Sequence, residues 1–151
     1  MEERALNFLR RLLDAPGPSG FERAPARVWR EEALTFADEV FHDVLGNSYA
    51  RLRNEGAPKV VIEGHIDEIG LQITHIDEQG YCWFDAIGGW DTQVLVGQRV
   101  RIAGNDGDVI GVIGRKAKHI LSKEEQDRAP DLRDLWIDIG AKDREDALRR
   151  V

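Results

Sequence analysis

A histidine followed two residues later by an aspartate can make half of a metal site, and residues 60–70 carry that pair at the end of an apolar run: Val60-Val61-Ile62-Glu63-Gly64-His65-Ile66-Asp67-Glu68-Ile69-Gly70. A ligating imidazole turns one nitrogen to the metal, while an acceptor, often a carboxylate, holds the other N–H. Asp67 is placed to be that acceptor. Residues two apart on extended backbone share a face, so both side chains can enter one cleft if the extended geometry continues through Ile66. Gly64 lets the chain turn just before them. Functional side chains collect where the strands of an open α/β sheet end, and His65 lies one glycine beyond a short buried-looking strand.

The chain carries its own control, because His75-Ile76-Asp77 repeats the tripeptide ten residues later. Spelling alone leaves ligand and ordinary strand histidine both open. Context separates the two. His75 lies in an alternating segment, with Ile69, Leu71 and Ile73 set against Gly70, Gln72 and Thr74, and it precedes the polar turn Asp77-Glu78-Gln79-Gly80. It reads as a solvent-side histidine of a hairpin strand.

The elements that must position these groups follow from periodicity. Ala5, Phe8, Leu9, Leu12 and Leu13 share one helical face, so residues 2–14 form a helix ending before the loop Asp14-Ala15-Pro16-Gly17-Pro18-Ser19-Gly20. A second helix starts near Glu22-Arg23 and carries Val28, Trp29, Ala33 and Phe36 inward. Strands follow at 38–45, 48–53 and 59–64, with turns at Leu45-Gly46-Asn47 and Asn54-Glu55-Gly56.

After Asp67 the character changes to short strands divided by glycine-rich turns, as in a small barrel or sandwich. These strands fall near 69–76, 81–86, 98–103 and 108–113, and Asn105-Asp106-Gly107 is a hairpin turn. Ser122-Lys123-Glu124-Glu125 has capping-box form and opens a short helical turn. Residues 135–139 are a last buried strand. Lys142 to Val151 is helical in composition, and a chain stopping inside a helix, without a C-cap glycine, reads as cut rather than completed.

Composition bounds the function. The 151 residues, 42% of them apolar, can build a core in one domain or two small ones. A net charge of −7 argues against nucleic acid or an anionic membrane as the main partner. One cysteine, Cys82, excludes an internal disulfide and reads as a core thiol in a reducing compartment. There is no leader-like segment and no run long enough to span a bilayer, so the expected location is cytoplasmic. Gly88-Gly89 lacks the further glycine or lysine of a phosphate cradle and reads as a tight turn. Trp29 and Trp136 sit in core-like segments, leaving Trp83 and Trp90 for surface contact, with packing the expected use. His42 is structural.

Several segments then combine into one ordered series: Pro16-Gly17-Pro18-Ser19-Gly20-Phe21-Glu22, Leu45-Gly46-Asn47, Gly64-His65-Ile66-Asp67-Glu68-Ile69-Gly70, Ile87-Gly88-Gly89-Trp90-Asp91, Gly97-Gln98-Arg99-Val100, Gly111-Val112-Ile113-Gly114 and Ile137-Asp138-Ile139-Gly140-Ala141. In this series the chain resembles the N-terminal part of the glutamyl and tetrahedral aminopeptidases, dinuclear metallopeptidases some of which carry the name endoglucanase. The resemblance spans nearly all of the chain. It implies an α/β plus β fold: residues 1–67 as the first part of an α/β peptidase domain, 68–140 as a small β-barrel-like dimerisation domain, and 141–151 as the start of a return helix.

The resemblance also implies a site with two divalent metals, zinc or cobalt. In it the histidine matching His65 binds one metal, the aspartate matching Asp67 orients that histidine, and a metal-activated water attacks the peptide bond. The remaining ligands and the glutamate base of that family follow the dimerisation domain and have no counterpart here; Glu63 and Glu68 match no family ligand. The expectation is a partial metallo-aminopeptidase, inactive by itself, with peptide as the family substrate. Its expected partners are copies of itself in a homodimer or larger homo-oligomer, and a missing C-terminal half. A second reading is a non-catalytic self-association module derived from the family. Carbohydrate hydrolysis lacks a placed pair of acidic residues. His119 sits where the family often has a loop histidine; a loop-anchoring hydrogen bond is the expected role and a contribution to a neighbouring subunit's site the alternative.

Overall fold

A computed structural model describes residues 2–53, 56 and 58–151, arranged in two compact units, Met1–Ile69 and Gly70–Val151. In the first, α1 (Glu3–Asp14) and α2 (Arg23–Ala33) lie close together, and Arg4 on α1 pairs with Glu32 on α2 at 3.0 Å. The strands β1 (Glu39–His42) and β2 (Ser48–Arg51) form an antiparallel hairpin against α2. Its turn is built by chemistry visible in the sequence. The Asp43 carboxylate accepts the backbone N–H groups of Leu45 and Asn47 at 2.9 and 3.0 Å, and Gly46 takes φ +94°. Phe41 and Tyr49 stack across the hairpin with centroids 4.9 Å apart.

Two expectations fail in this unit. Phe36 lies beyond the end of α2 and is 59% exposed, while Ala33 is buried and Val28 and Trp29 are half-buried. The apolar run at 59–64 forms no strand, and Val60, Val61 and Ile62 are 80, 85 and 94% exposed. A near-continuous apolar run is the pattern of a strand covered on both faces. Such a strand needs neighbours for its backbone groups, and no described residue of the unit pairs with this one. The expected turn at Asn54-Glu55-Gly56 lies largely outside the described residues.

The second unit is one five-stranded antiparallel sheet in the order β3-β4-β7-β6-β5, comprising β3 (Gly70–Ile76), β4 (Cys82–Ile87), β5 (Arg99–Gly104), β6 (Gly107–Arg115) and β7 (Leu135–Asp138). Two local hairpins, β3–β4 and β5–β6, follow the turns at 77–80 and 104–107, where Gly80 and Gly107 take φ +86° and +123°. The last strand joins them by inserting between β4 and β6. Its side chains Leu135 and Ile137 then meet Cys82, Phe84 and Ile113 from the two hairpins, together with Ala147 of α4 (Arg144–Arg150). The last helix is therefore packed into this core. Cys82 is fully buried, and burial raises its thiol pKa, as befits a core residue.

Trp90 donates its indole N–H to the Gly70 carbonyl at 2.9 Å, and Trp83 donates to Asp77 at 2.9 Å while leaning on Trp136. Both indole N–H groups are thus used within the unit. His75 is exposed on β3 as its context indicates, and His42 is exposed on β1. His119 lies exposed in a short 3-10 turn, Lys118–Ile120.

Ser122 and Glu125 form the reciprocal capping box at the start of α3 (Lys123–Asp127). The Ser122 backbone and hydroxyl bonds, then Lys116 at 3.2 Å, lower the Glu125 carboxyl from 4.5 to about 2. A carboxyl with a depressed folded-state pKa contributes stability above its unfolded value and loses it as pH falls through the folded one. The cap is therefore complete above about pH 4.5 and released towards pH 2. The Ser122 amide, which donates to Glu125 Oε2 at 2.7 Å, reports on it: its resonance is expected to titrate near pH 2 and to lose that transition in Glu125→Gln. A midpoint at the ordinary 4.5 would show that the cap does not form in solution.

Candidate metal-binding site

Backbone bonding brings two stretches far apart in sequence together. Pro18 and Glu68 form an isolated parallel bridge; the Ser19 N–H donates to the Glu68 carbonyl at 3.3 Å, and the Glu68 N–H donates to the Gly17 carbonyl at 2.9 Å. The Glu68 side chain closes the clamp by accepting the Gly17 N–H at 2.9 Å. Gly17 is buried against Pro25, whose Cγ would lie only 2.5 Å from a Cβ at that position. Only glycine fits there without displacing the first turn of α2.

Asp67 and His65 stand beside this clamp. The His65 Nδ1–H donates to Asp67 Oδ1 at 3.0 Å and to the Asp67 backbone carbonyl at 2.9 Å. A carbonyl oxygen can only accept, so the bonded imidazole carries its proton on Nδ1. The other carboxylate oxygen, Asp67 Oδ2, accepts the Ser19 hydroxyl at 2.5 Å. These bonds, with Ser19 first and His65 second, hold the Asp67 carboxyl below the usual aspartate range. The His65 side chain is 85% exposed and Asp67 is 38% exposed, so the pair sits at the surface of its unit.

The pair expected from spacing is thus in contact, with Asp67 as the acceptor. The arrangement has the donor character of a metal-ligating histidine, with Nδ1–H tied to a carboxylate and the Nε2 lone pair left over. It supplies one ligand. A zinc site takes three or four protein ligands, and among the described residues no group of three or more His, Cys, Asp or Glu could hold a metal ion. Glu68, close in sequence, spends its carboxylate on Gly17, and Glu63 is exposed. Reading the sequence assigned no part to Ser19 or Glu68. The Pro16–Gly20 loop is recognisable as a loop, yet nothing local tells that it folds onto residues 48 to 51 positions later.

A family model described as M42 glutamyl aminopeptidase matches residues 46–151. The lysyl aminopeptidase of Pyrococcus furiosus is 36% identical over 143 residues, covering 93% of this chain and 41% of that protein. Among solved structures, the TET aminopeptidase of the marine sediment archaeon Thaumarchaeota archaeon SCGC AB-539-E09 superposes with a TM-score of 0.90 at 38% identity, covering 96% of this chain and 40% of that one. The TET1 peptidase of Pyrococcus horikoshii, described as able to assemble into a tetrahedron or a large octahedral shell, superposes with a TM-score of 0.81 at 35% identity, covering 95% of this chain and 42% of that one. The chain spans about two fifths of the length of the curated relatives it matches.

Proposed function

The chain belongs to the M42 glutamyl aminopeptidase family, and from that premise we propose that it forms the N-terminal portion of a metal-dependent aminopeptidase that removes N-terminal residues from peptides. The observation that carries this reading is the His65–Asp67 contact, an imidazole already oriented by a carboxylate with one nitrogen left for a metal. His65 would hold one of two divalent metals, zinc or cobalt, and Asp67 would keep its ring aligned. When bound, such metals supply an activated water and polarise the scissile carbonyl. The contribution of this chain is to fix the direction of one ligand.

The chain by itself is inactive in this reading, because among the described residues it brings one ligand and no group of three or more His, Cys, Asp or Glu that could hold a metal ion. The exposed run Val60–Ile62, directly before the site, supports the same view: an apolar run with strand-like sequence that forms no strand fits a sheet completed by further polypeptide, the missing C-terminal half. Residues 68–140 would act as the dimerisation domain and 141–151 as the start of the return helix. The partners would be a homodimer or larger homo-oligomer, in keeping with the shells of the TET1 peptidase. No helix among the described residues is long and apolar enough to cross a membrane; the location in this reading is cytoplasmic.

A test is to purify the 151-residue chain, load it with zinc or cobalt, and measure bound metal and turnover of leucine and glutamate anilides on one sample. The expected result is less than one metal per chain and no turnover. Stoichiometric metal together with turnover would refute the inactivity. The second reading, a self-association module without catalysis, is favoured by the self-contained sheet and core of residues 70–151. It predicts a stable oligomer whose mass is indifferent to chelators.

A further inference from the structure

We propose that the groove at the end of β6, in the second unit, binds a carboxylate carried on a small apolar body, with Arg115 as its main contact. The proposal does not rest on the reading of His65. Its starting point is a polar atom left over: the Nε of Arg115 is closed to solvent and, among the described residues, has no hydrogen-bond partner. The guanidinium is held only by a long bond from Nη2 to the Glu125 carbonyl, at 3.4 Å among those residues. Buried donors in folded proteins are nearly always paired, and an unpaired one on a charged group is the costly exception. Arginine grips a carboxylate with two N–H groups at once, and Nε with its neighbouring terminal nitrogen makes one such pair.

Strand geometry puts the guanidinium there. Residues two apart on a strand share a face, so Arg115 follows Ile113, which is 1% exposed, and places a cation at the edge of the core. Arg115 lines a cavity of about 440 Å³ together with Lys116 and Lys118. Val96, Ile113 and Leu121 give it apolar walls, and among the described residues no carboxylate lines it. Lys116 is already matched by Glu125 at 3.2 Å, whereas Arg115 and Lys118 have no ion-pair partner among those residues. The walls are pinned before anything enters: the Gly97 N–H donates to the Ile113 carbonyl at 2.8 Å, and Gln126 Nε2 donates to the Leu121 carbonyl at 3.0 Å. Arg115 also borders a second cavity of about 360 Å³, but Asp127 lines that one, so an anion is favoured in the first. Excess positive charge beside apolar side chains fits an aliphatic carboxylate, either a free acid or the C-terminus of a peptide.

The experiment uses the full 151-residue chain labelled with nitrogen-15, titrated at constant ionic strength with isocaproate, with its uncharged amide, with acetyl-glycyl-leucine and with inorganic phosphate. The readout is the Arg115 Nε–H resonance itself, supported by the backbone amides of Gly97, Lys118 and Gln126. Isocaproate should move these signals and saturate, while the amide of the same shape leaves them in place. Arg115→Gln is expected to weaken isocaproate binding by at least about 10-fold, the usual effect of losing bonds between charged groups. Arg115→Lys, which keeps the charge and loses the paired donors, should recover only part of it. Lys118→Gln, at an exposed position where folding is not at stake, should weaken binding about 2–5-fold.

An amide that binds as well as the acid overturns the proposal, as does an Arg115 Nε–H signal that isocaproate leaves unmoved. Arg115→Lys binding as tightly as the wild type also overturns it, because a bare charge would then suffice. Phosphate binding more tightly than both organic acids overturns the carboxylate assignment. Tighter binding of acetyl-glycyl-leucine than of isocaproate supports the site and assigns it to a peptide C-terminus, and the reverse order supports it as a site for a free acid.

Discussion

Ile137→Ala should cost the second unit about 2–5 kcal/mol, the usual range for emptying a large aliphatic site in a core. Ile137 is 2% exposed and sits on β7, where it is in register with Cys82 of β4 on one side and Ile113 of β6 on the other. Among the described residues β7 is the only strand bonded to both hairpins, so a cavity there loosens the joint between them. The fit is close: a Cβ on Gly111 would lie 2.3 Å from Ile137 Cγ2, so this glycine makes room for the isoleucine. A whole domain is held by roughly 5–15 kcal/mol, so the loss is a large part of the total. Urea unfolding followed by the fluorescence of Trp83 and Trp136, which pack together with centroids 5.8 Å apart, measures it. A change below about 1 kcal/mol would mean that the hairpins hold together without β7.

Replacing Val60, Val61 and Ile62 together by serine is expected to suppress self-association of the chain. The three lie in sequence and are 80, 85 and 94% exposed, so their removal takes nothing from the core described here. Burying one such side chain in a contact is worth about 1.5–3 kcal/mol. Several kilocalories are therefore available to any contact that covers the run, and an exposed apolar stretch of strand-like sequence is a template for pairing. At equal concentration, sedimentation velocity should show the association constant of the triple variant lowered by at least 10–100-fold, with the unfolding midpoint of residues 70–151 unchanged. An unchanged association constant would place the contact elsewhere, on the sheet of the second unit.

The same three residues show why part of the fold was legible and part was not. Their pattern reads as a covered strand, and no strand forms: a strand exists only with neighbours, and the described residues 2–53, 56 and 58–69 supply none that pair with it. Helix α1, both glycine turns of the second unit and the Ser122 capping box were readable because each depends on residues a few positions apart. Phe36 was misplaced because the helical period was carried past Ala33, where α2 ends. The order β3-β4-β7-β6-β5 could not be read at all, since hydrophobic spacing marks strands without saying which ones pair.

The candidate site divides along the same line. By itself the sequence determined the pair: a histidine and an aspartate two positions apart meet through a bond that closes within three residues, and the ordered motifs around them point to the family. Only the tertiary structure decided which oxygen of Asp67 faces the imidazole and what holds the other. That partner, Ser19, lies 48 positions away and arrives through the strap on Glu68. Side-chain chemistry and short spacings are written locally, whereas the approach of distant segments depends on the sum of backbone bonds and packing that brings them together.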